Sequence, residues 1–340
     1  MDSIGLDLHK RESQICILAP GGEVLEQRIV TSRERFTAVL GGRPRARVVV
    51  EASTESEWVA RHLELLGRVI IADPTYAPMY ATRSRRVKTD RRDARTLAEA
   101  CRLGAYRAVH RVSDAQRHVR AQLAVREALI RTRSRYVAIV KSVVRRDGWR
   151  LPSGMPAHTV RKVAALPLGP EMAAELAPLL ALLVPLQAEI DAANAQLAAV
   201  AAQDPVVRRL RSVPGVGPVT AVGFVAALDA VDRFASARQV AGYLGLTPTE
   251  RSSGEQQHRG RISKTGNPRA RMLLVEAGWR LLRTRQAAAA PLRAWGERLA
   301  ARRWHLPGAW RGSCTRCGAT AASIGPGYPA PPRCARTRRA

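Results

Sequence analysis

The first 110 residues alternate between strand-like and helix-like patterns, and this order most narrows the folds open to the chain. Short apolar or alternating runs predict strands, whereas apolar residues at helical spacing predict helices. The resulting order, β-β-β-α-β-α-β-α, favours an α/β domain with a mixed sheet. The predicted strands cover residues 3–9, 14–18, 23–30, 47–50 and 69–72, and the clearest predicted helices cover 56–66 and 88–103.

The middle of the chain is predicted to be helical. Residues 113–150 have the pattern of a long basic helix, and residues 151–170 form a connector punctuated by Pro and Gly. From Leu183 onward, apolar residues recur at alternating steps of three and four, which is typical of a coiled-coil seam. A seam this short fits a local helical hairpin as well as an oligomerisation helix, and Pro185 would kink or start the helix. The seam continues through Leu186, Ile190, Ala193, Leu197 and Val200.

These patterns divide the chain into four expected segments. The α/β domain spans residues 1–110, a helical linker with the basic helix and the coiled coil spans 111–204, and an all-α module spans 205–300. Residues 301–340 are rich in Pro, Gly and Arg and contain no acidic residue. Because this tail also lacks apolar periodicity, we expect it to be disordered.

The positive charge of the chain predicts a polyanionic partner. Lysine and arginine number 56 against 28 aspartate and glutamate residues, which gives a net charge of +28. This excess favours nucleic acid over an anionic membrane surface. No apolar run reaches the roughly 18 residues that span a bilayer, and the N-terminus lacks the pattern of a signal peptide. Because the five cysteines are scattered, we expect no disulfide framework, and we expect a cytoplasmic protein without a membrane partner.

Four acidic residues form the first candidate site. Asp7 interrupts an apolar strand, and Glu51 ends another, so both are expected at the rim of the sheet. Asp90 and Asp93 lie three residues apart on a predicted helix and therefore share a face. Two strand carboxylates and two helix carboxylates can converge on one or two Mg²⁺ ions, which prefer oxygen ligands. Taken alone, Asp90 and Asp93 fit ordinary surface acids in salt bridges at least as well. Arg91, Arg92 and Arg95 surround the helical pair and could position a phosphate backbone.

A glycine-rich turn between two predicted helices is the second candidate site. In the sequence VPGVGPV, Gly215 and Gly217 can present backbone N–H groups to a DNA phosphate without reading its bases. The pattern is similar to a helix-hairpin-helix motif, and a plain helix–helix turn is the alternative.

A polar, basic stretch after residue 245 is the third candidate site. Ser253 precedes Gly254 and is sterically accessible, and nearby cations could bind a phosphodiester and favour attack by a serine oxygen. A serine beside a glycine is commonplace, so the pattern alone carries little weight. Cys314 and Cys317 have the spacing of a zinc pair, but only Cys334 and His305 lie nearby as further ligands. The cations around the serine are Arg251, Arg259, Arg261 and Lys264.

Taken together, the three candidate segments resemble the IS110-family transposases of insertion sequences and the related Piv-type invertases. The matching strings are GLDLHK, VVVEAS, KTDRRDA, SVPGVGPVTA, YLGLTPTERSSG and GRISKTGNPRARMLL, over residues 3 to about 285. The resemblance implies a RuvC-like domain of the RNase H superfamily, whose DEDD metal ligands would be Asp7, Glu51, Asp90 and Asp93.

The resemblance also implies partners and a second catalytic group. The C-terminal domain would supply a serine that links covalently to DNA, here Ser253, with Ser252 as the fallback. Family members act on donor and target DNA with an element-encoded bridge RNA, and they assemble as oligomers, so a dimer or a tetramer is expected. The basic helix 113–150 would contact RNA or DNA backbone.

The C-terminus departs from the family pattern. After Arg303 the sequence resembles translation in a shifted frame, which would make the cysteine pair accidental and the last helix of the domain missing. Glu255 also stands where the family pattern has a second glycine. Two alternatives therefore stay open: a decayed transposase that only binds nucleic acid, and a RuvC-like junction nuclease without a covalent step.

Overall fold

The computed structural model describes residues 1–65, 67–80, 89–253 and 256–304. The chain forms two compact units, which divide between Ala121 and Gln122. The predicted tail lies almost entirely outside the described residues, and with it Cys314, Cys317, Cys334 and His305.

The N-terminal unit has the predicted order of strands and helices. Its five strands form one mixed sheet in the order β3-β2-β1-β4-β5, in which β2 is antiparallel to β1 and β3, and β4 is parallel to β1 and β5. The mixed α/β prediction is therefore confirmed. The elements are β1 (Ser3–Leu8), β2 (Glu12–Leu18), β3 (Val24–Val30), α1 (Arg33–Leu40), β4 (Ala46–Glu51), α2 (Ser56–Leu63), β5 (Gly67–Ala72) and α3 (Asp90–Leu103).

Successive strand residues point to opposite sides of the sheet. Both sides carry buried apolar residues, and helices cover both. On one face, Leu6 and Val50 pack in a core with Phe36 of α1 and Leu63 of α2. On the other face, the alternate residues of the strands pack against α3. Val49, for example, lies in a second core with Leu97 and Cys101.

Helix α3 approaches the central strand unusually closely at Gly5. A Cβ atom on Gly5 would lie 2.1 Å from the carbonyl oxygen of Ala94 and 2.3 Å from the backbone nitrogen of Ala98. Only a glycine permits this distance, because any side chain would collide with the backbone of the helix. The glycine in GLDLHK therefore fixes the position of α3 on β1.

Helices α4 (Asp114–Arg146) and α6 (Pro170–Gln203) form an antiparallel helical hairpin, with the short α5 (Thr159–Ala164) between them. All of this hairpin except the first two turns of α4 belongs to the C-terminal unit. Arg126 donates to the side-chain oxygen of Asn194, and Arg133 donates to that of Gln187. The residue number rises along α4 as it falls along α6, so the helices are antiparallel. The predicted basic helix is confirmed.

The predicted seam lies on α6, and its packing within the chain is that of a local hairpin. Leu183, Ile190 and Leu197, each seven residues apart, are buried. The expectation that Pro185 starts the helix is wrong, since α6 begins at Pro170 and continues through Pro178 and Pro185. Proline is well tolerated in the first turn, where its missing N–H has no helical acceptor, and this accounts for Pro170.

Helix α6 is also the one helix in the described part of the chain that is long and apolar enough to cross a bilayer. The core helix of a soluble protein can have the same length and composition. The expected absence of a membrane partner stays a prediction.

The module from residue 205 contains strands, so the expectation of an all-α C-terminal domain is wrong. A two-stranded antiparallel hairpin occupies the polar stretch of the third candidate site. Its residues are polar on both faces, so the sequence shows no alternation that would indicate a strand. Backbone hydrogen bonds between the two strands, rather than burial, define the hairpin. The elements are α7 (Pro205–Leu210), α8 (Pro218–Leu228), α9 (Ala237–Tyr243), β6 (Pro248–Ser253), β7 (Gln256–Ile262), α10 (Pro268–Arg283) and α11 (Ala290–Trp304).

Candidate catalytic centres

Strand pairing brings Asp7 and Glu51 to the same level of the sheet. Strands β1 and β4 are adjacent and parallel, and Leu6 is in register with Val50. The next residue on each strand is the acid. Asp7 follows Gly5 by two positions, and Glu51 follows Val49 by two, so both acids lie on the face that α3 covers.

Helix α3 contributes the other two carboxylates from its first turn. Thr89 caps the helix, because its side-chain oxygen accepts a hydrogen bond from the backbone nitrogen of Arg92. Asp90 and Asp93 follow in the first turn, where the helix dipole favours negative charge. The tight contact of α3 with Gly5 holds this turn near the carboxyl end of β1.

The electrostatics of Asp7 reflect both its burial and the charges of the three other acids. Burial raises the pKa of the Asp7 carboxyl above its ordinary value, and nearby His9 partly opposes that rise. The charges of Asp93, Asp90 and Glu51 raise the pKa further. The Asp7 side chain is only 13% exposed. A largely buried carboxylate with three further acids beside it is a donor set that a divalent cation would stabilise.

His9 is a member of this centre that the sequence analysis did not select. Its Nε2 atom lies 3.4 Å from Oδ2 of Asp7 and 3.5 Å from Oδ1 of Asp90. One ligand atom from each of the three residues lies within 4.8 Å of the other two. The signal was present in GLDLHK, because a residue two positions after Asp7 points to the same side of an extended chain.

Asp73 shows how an acid at the same rim can serve the fold instead. It directly follows β5, next to the strand that ends in Glu51. Its carboxylate accepts hydrogen bonds from Thr75 and from the guanidinium of Arg107. Hydrogen bonds from Thr75, followed by that from Arg107, lower the pKa of Asp73 to about 2. The negative charge of Asp73 is already balanced by Arg107. Asp7, in contrast, is surrounded by further acids.

The three arginines of α3 that were predicted to position a phosphate differ in their contacts. Arg91 forms an ion pair with Glu26, and Arg95 forms one with Glu99. Arg92 is exposed. Two of the three guanidiniums therefore already have carboxylate partners, which weakens the interpretation that all three hold a phosphate backbone.

Ser253 ends β6 at the tip of the C-terminal hairpin, and it is exposed. It is paired with Gln256, and Arg251 is paired with His258. Because directly opposite residues share a face of the ribbon, Ser253, Arg251 and His258 lie on one side. The side chains of Ser252 and Arg259, together with Gly254 and Glu255, lie outside the described residues.

The base of this hairpin is held in a strained loop. Lys264 has a φ of 57°, in the left-handed region that non-glycine residues rarely adopt. Its backbone nitrogen donates to the carbonyl of Gly245 at 3.1 Å. A Cβ atom on Gly266 would lie 1.9 Å from the carbonyl oxygen of Tyr243. The loops on both sides of the hairpin therefore interlock through backbone contacts.

Arg271 of α10 strengthens this interlock, although no sequence pattern singled it out. Its guanidinium donates to the backbone carbonyls of Leu244 and Thr265, one in each loop. Arg261 and Lys264 are exposed near the base of the ribbon. Their predicted phosphate contacts stay predictions.

The glycine turn of the second candidate site packs against α10. Gly215 has a φ of 88°, and a Cβ atom there would lie 2.8 Å from the carbonyl oxygen of Ala277. Gly217 caps α8. Close packing explains the need for glycine at position 215, and contact of this turn with DNA phosphate stays a prediction.

Two segments of the chain match known protein families. Residues 4–146 match a transposase family of the IS110 DEDD type, and residues 207–293 match the Transposase IS116/IS110/IS902 family. The chain belongs to the IS110 family of transposases. The first match contains all four carboxylates, and the second contains Ser253. As a transposase, the protein acts on DNA.

Relatives match this transposase over most of their length. The transposase for insertion sequence element IS1111A of Coxiella burnetii is 27% identical, and the alignment covers 82% of this chain and 78% of the relative. The transposase for insertion sequence element IS1328 of Yersinia enterocolitica is 28% identical, with 80% and 81% covered. The y4rJ protein of Sinorhizobium fredii, which carries a transposase name, is 30% identical, with 82% and 80% covered.

Proposed function

We propose that this transposase cuts and rejoins DNA strands with a divalent metal centre in a RuvC-like N-terminal unit and a serine in its C-terminal unit. The metal ligands would be Asp7, Glu51, Asp90 and Asp93, and Mg²⁺ is the expected ion. The observation that carries the proposal is geometric: the register of β1 and β4 places Asp7 beside Glu51, and the contact of α3 with Gly5 places the first turn of α3, with Asp90 and Asp93, over the same end of the sheet.

Each carboxylate has a distinct part in this centre. When bound, a divalent metal supplies Lewis-acid stabilisation of the phosphoryl oxygens during displacement. Asp7 and Glu51 extend from adjacent strands, so hydrogen bonds of the sheet hold these two ligands in place. Asp90 and Asp93 add charge from the first turn of α3. The contact at Gly5 fixes β1 to α3, so the four ligands would be held in position before a metal binds.

The covalent step is assigned to Ser253. Its Oγ atom would form a bond to phosphorus while the bond from phosphorus to a deoxyribose oxygen breaks. The serine proton would pass to solvent or a nearby base, and the leaving deoxyribose oxygen would take up a proton from solvent to become a free hydroxyl. The serine–DNA ester conserves the energy of the phosphodiester, so attack by a new deoxyribose hydroxyl rejoins a strand and releases the serine. Arg251, on the same face of the ribbon, would stabilise the phosphate charge.

Further partners follow from the family and from charge. We propose donor and target DNA, a bridge RNA, assembly as a dimer or a tetramer, and a cytoplasmic location. On α4, Arg135 and Arg145 are exposed, whereas Arg126 and Arg133 bind side chains of α6. The exposed arginines are the better candidates for contact with a nucleic-acid backbone.

A covalent-adduct assay tests this function. The protein is incubated with guide RNA, donor DNA and Mg²⁺, and the denatured products are examined for a protein–DNA adduct. We expect the adduct to disappear in Ser253→Ala and in Asp7→Asn, and to persist in Ser252→Ala. The opposite result for the two serines would move the nucleophile to Ser252.

The same assay separates the alternatives. A junction nuclease without a covalent step predicts DNA cleavage that survives both serine substitutions. A decayed transposase predicts salt-sensitive nucleic-acid binding with no cleavage or strand transfer.

A further inference from the structure

The carboxylate centre contains an imidazole that the DEDD set does not include. His9 stands immediately after β1, and its Nε2 atom lies at similar distances, 3.4 and 3.5 Å, from oxygens of Asp7 and Asp90. The His9 side chain is 56% exposed, so the backbone after β1, rather than core packing, places it there. The ring nitrogen therefore faces one acid from the strand and one from the helix.

The spacing of these three groups fits one bound cation. With metal–ligand distances of about 2.1 Å, the ligand atoms of an octahedral site lie about 3.0 Å apart when adjacent and about 4.2 Å apart when opposite. The Asp7, His9 and Asp90 atoms lie within 4.8 Å of one another. The two distances from Nε2 of His9, 3.4 and 3.5 Å, lie between the adjacent and opposite values, so the three groups are placed to share one cation.

A nitrogen ligand changes which cation the centre prefers. Mg²⁺ is a hard ion that takes oxygen ligands and retains its waters. Imidazole favours first-row transition-metal dications, whose affinity for mixed nitrogen and oxygen ligands rises along the series from Mn²⁺. A centre with carboxylates and one histidine therefore differs from a purely carboxylate centre in selectivity.

We propose that His9 is a metal ligand of this centre and that the centre consequently binds a transition-metal dication more tightly than Mg²⁺. This inference rests on the proposed metal-dependent function. It assigns to the centre a ligand and a class of ion beyond the four carboxylates. The alternative role of His9 is a polar contact that only separates Asp7 from Asp90.

Pulsed electron paramagnetic resonance of Mn²⁺ bound to the full-length protein distinguishes these roles. A coordinated imidazole gives a nitrogen modulation of the spin echo, which a histidine outside the coordination sphere does not give at comparable strength. We expect the modulation in the wild type and its loss in His9→Ala. His118→Ala is the matched control, because His118 is an exposed histidine of the same compact unit and should leave the signal unchanged.

Equilibrium binding gives the second readout. We expect His9→Ala to weaken Mn²⁺ binding by about tenfold or more and to change Mg²⁺ binding by less than about twofold, since Mg²⁺ would rely on the carboxylates. Circular dichroism checks that the variant is folded. His9→Gln, which retains a polar side chain, should lose the nitrogen modulation in the same way as His9→Ala.

The outcomes separate this inference from the function on which it rests. Mn²⁺ binding that requires Asp7 but shows no histidine nitrogen modulation overturns the role of His9 and leaves the carboxylate centre in place. Failure of the wild type to bind either ion, or binding that Asp7→Asn does not weaken, overturns the metal centre itself and the His9 assignment with it.

Discussion

The two candidate catalytic groups are held in place in opposite ways. The carboxylate rim, which consists of Asp7, Glu51, Asp90 and Asp93, lies at the edge of a five-stranded sheet between two layers of helix. The contact at Gly5 fixes α3 to β1. Ser253 lies at the tip of an exposed two-stranded ribbon, fixed by backbone contacts and Arg271 at its base. An isolated two-stranded hairpin has marginal stability in water. The position of the four acids therefore depends on core packing, and the position of Ser253 depends on the two interlocked loops at the base of the hairpin.

The largest expected effect tests how far the rim depends on close packing. Gly5→Val should destabilise the N-terminal unit by about 3 kcal/mol or more, because a side chain would collide with the backbone of α3. Divalent-metal binding should be lost with it. Urea unfolding and Mn²⁺ binding measure the two effects.

Gly21→Ala is the matched control for this change. A Cβ atom on Gly21 meets nothing within 4 Å, so its stability and metal binding should stay close to wild type. If Gly5→Val retained wild-type metal affinity, the rim would not depend on the contact between β1 and α3.

An intermediate effect is expected at the base of the ribbon. Gly266→Ala places a Cβ atom against the carbonyl of Tyr243 at a position whose φ is 76°, so it should cost about 2 kcal/mol. The serine–DNA adduct should fall by about a hundredfold, because displacement of a nucleophile by about 1 Å has this effect. Mn²⁺ binding should not change, since the rim belongs to the other compact unit.

Gly278→Ala, at an open position on α10, is the comparison for Gly266→Ala. It should leave adduct yield and metal binding close to wild type. A Gly266→Ala variant with full adduct yield would show that the interlocked loop does not position Ser253.

The smallest expected effect concerns the stability of the metal-free rim. In the presence of a chelator at neutral pH, Asp7→Asn should stabilise the protein by on the order of 1 kcal/mol, because it removes a half-buried charge from among three other acids. The raised pKa of Asp7 destabilises the fold above that pKa. As pH falls through the raised pKa and then the ordinary value, that penalty disappears, and the two proteins should converge.

Thermal unfolding in chelator, measured from neutral pH down to acid pH, checks this prediction. A variant less stable than wild type at neutral pH would mean that Asp7 is already neutralised within the protein. Added Mn²⁺ should stabilise only the wild type.

Asp7 and Glu51 could be selected from the sequence pattern alone, whereas Asp90 and Asp93 were selected only through the family resemblance of KTDRRDA. An acid inside an apolar strand is costly without a partner, so Asp7 stands out, and the end of the next parallel strand marks Glu51. His9 was missed because a polar residue just after a strand is ordinary. Its role depends on the distance to Asp90, which is remote in sequence.

The ribbon was missed for the opposite reason. Its residues are polar on both faces, so no burial leaves a period-two signal, and the expectation of an all-α module followed. Arg271 could not be found either, because its acceptors are backbone carbonyls, which have no sequence signature. The strain at Lys264 is likewise a property of the folded loop.

Because Ser253 is the last residue of β6, a small rotation at the base of the hairpin moves it a long way. Six residues at about 3.3 Å each extend about 20 Å, so a rotation of about 10° at the base moves the tip by about 3 Å. Such a displacement is the difference between a serine oxygen in line with a phosphodiester and one out of reach. Under the proposed function, small changes in the loops around Gly245 and Gly266 would therefore decide whether the Ser253 oxygen reaches a phosphodiester.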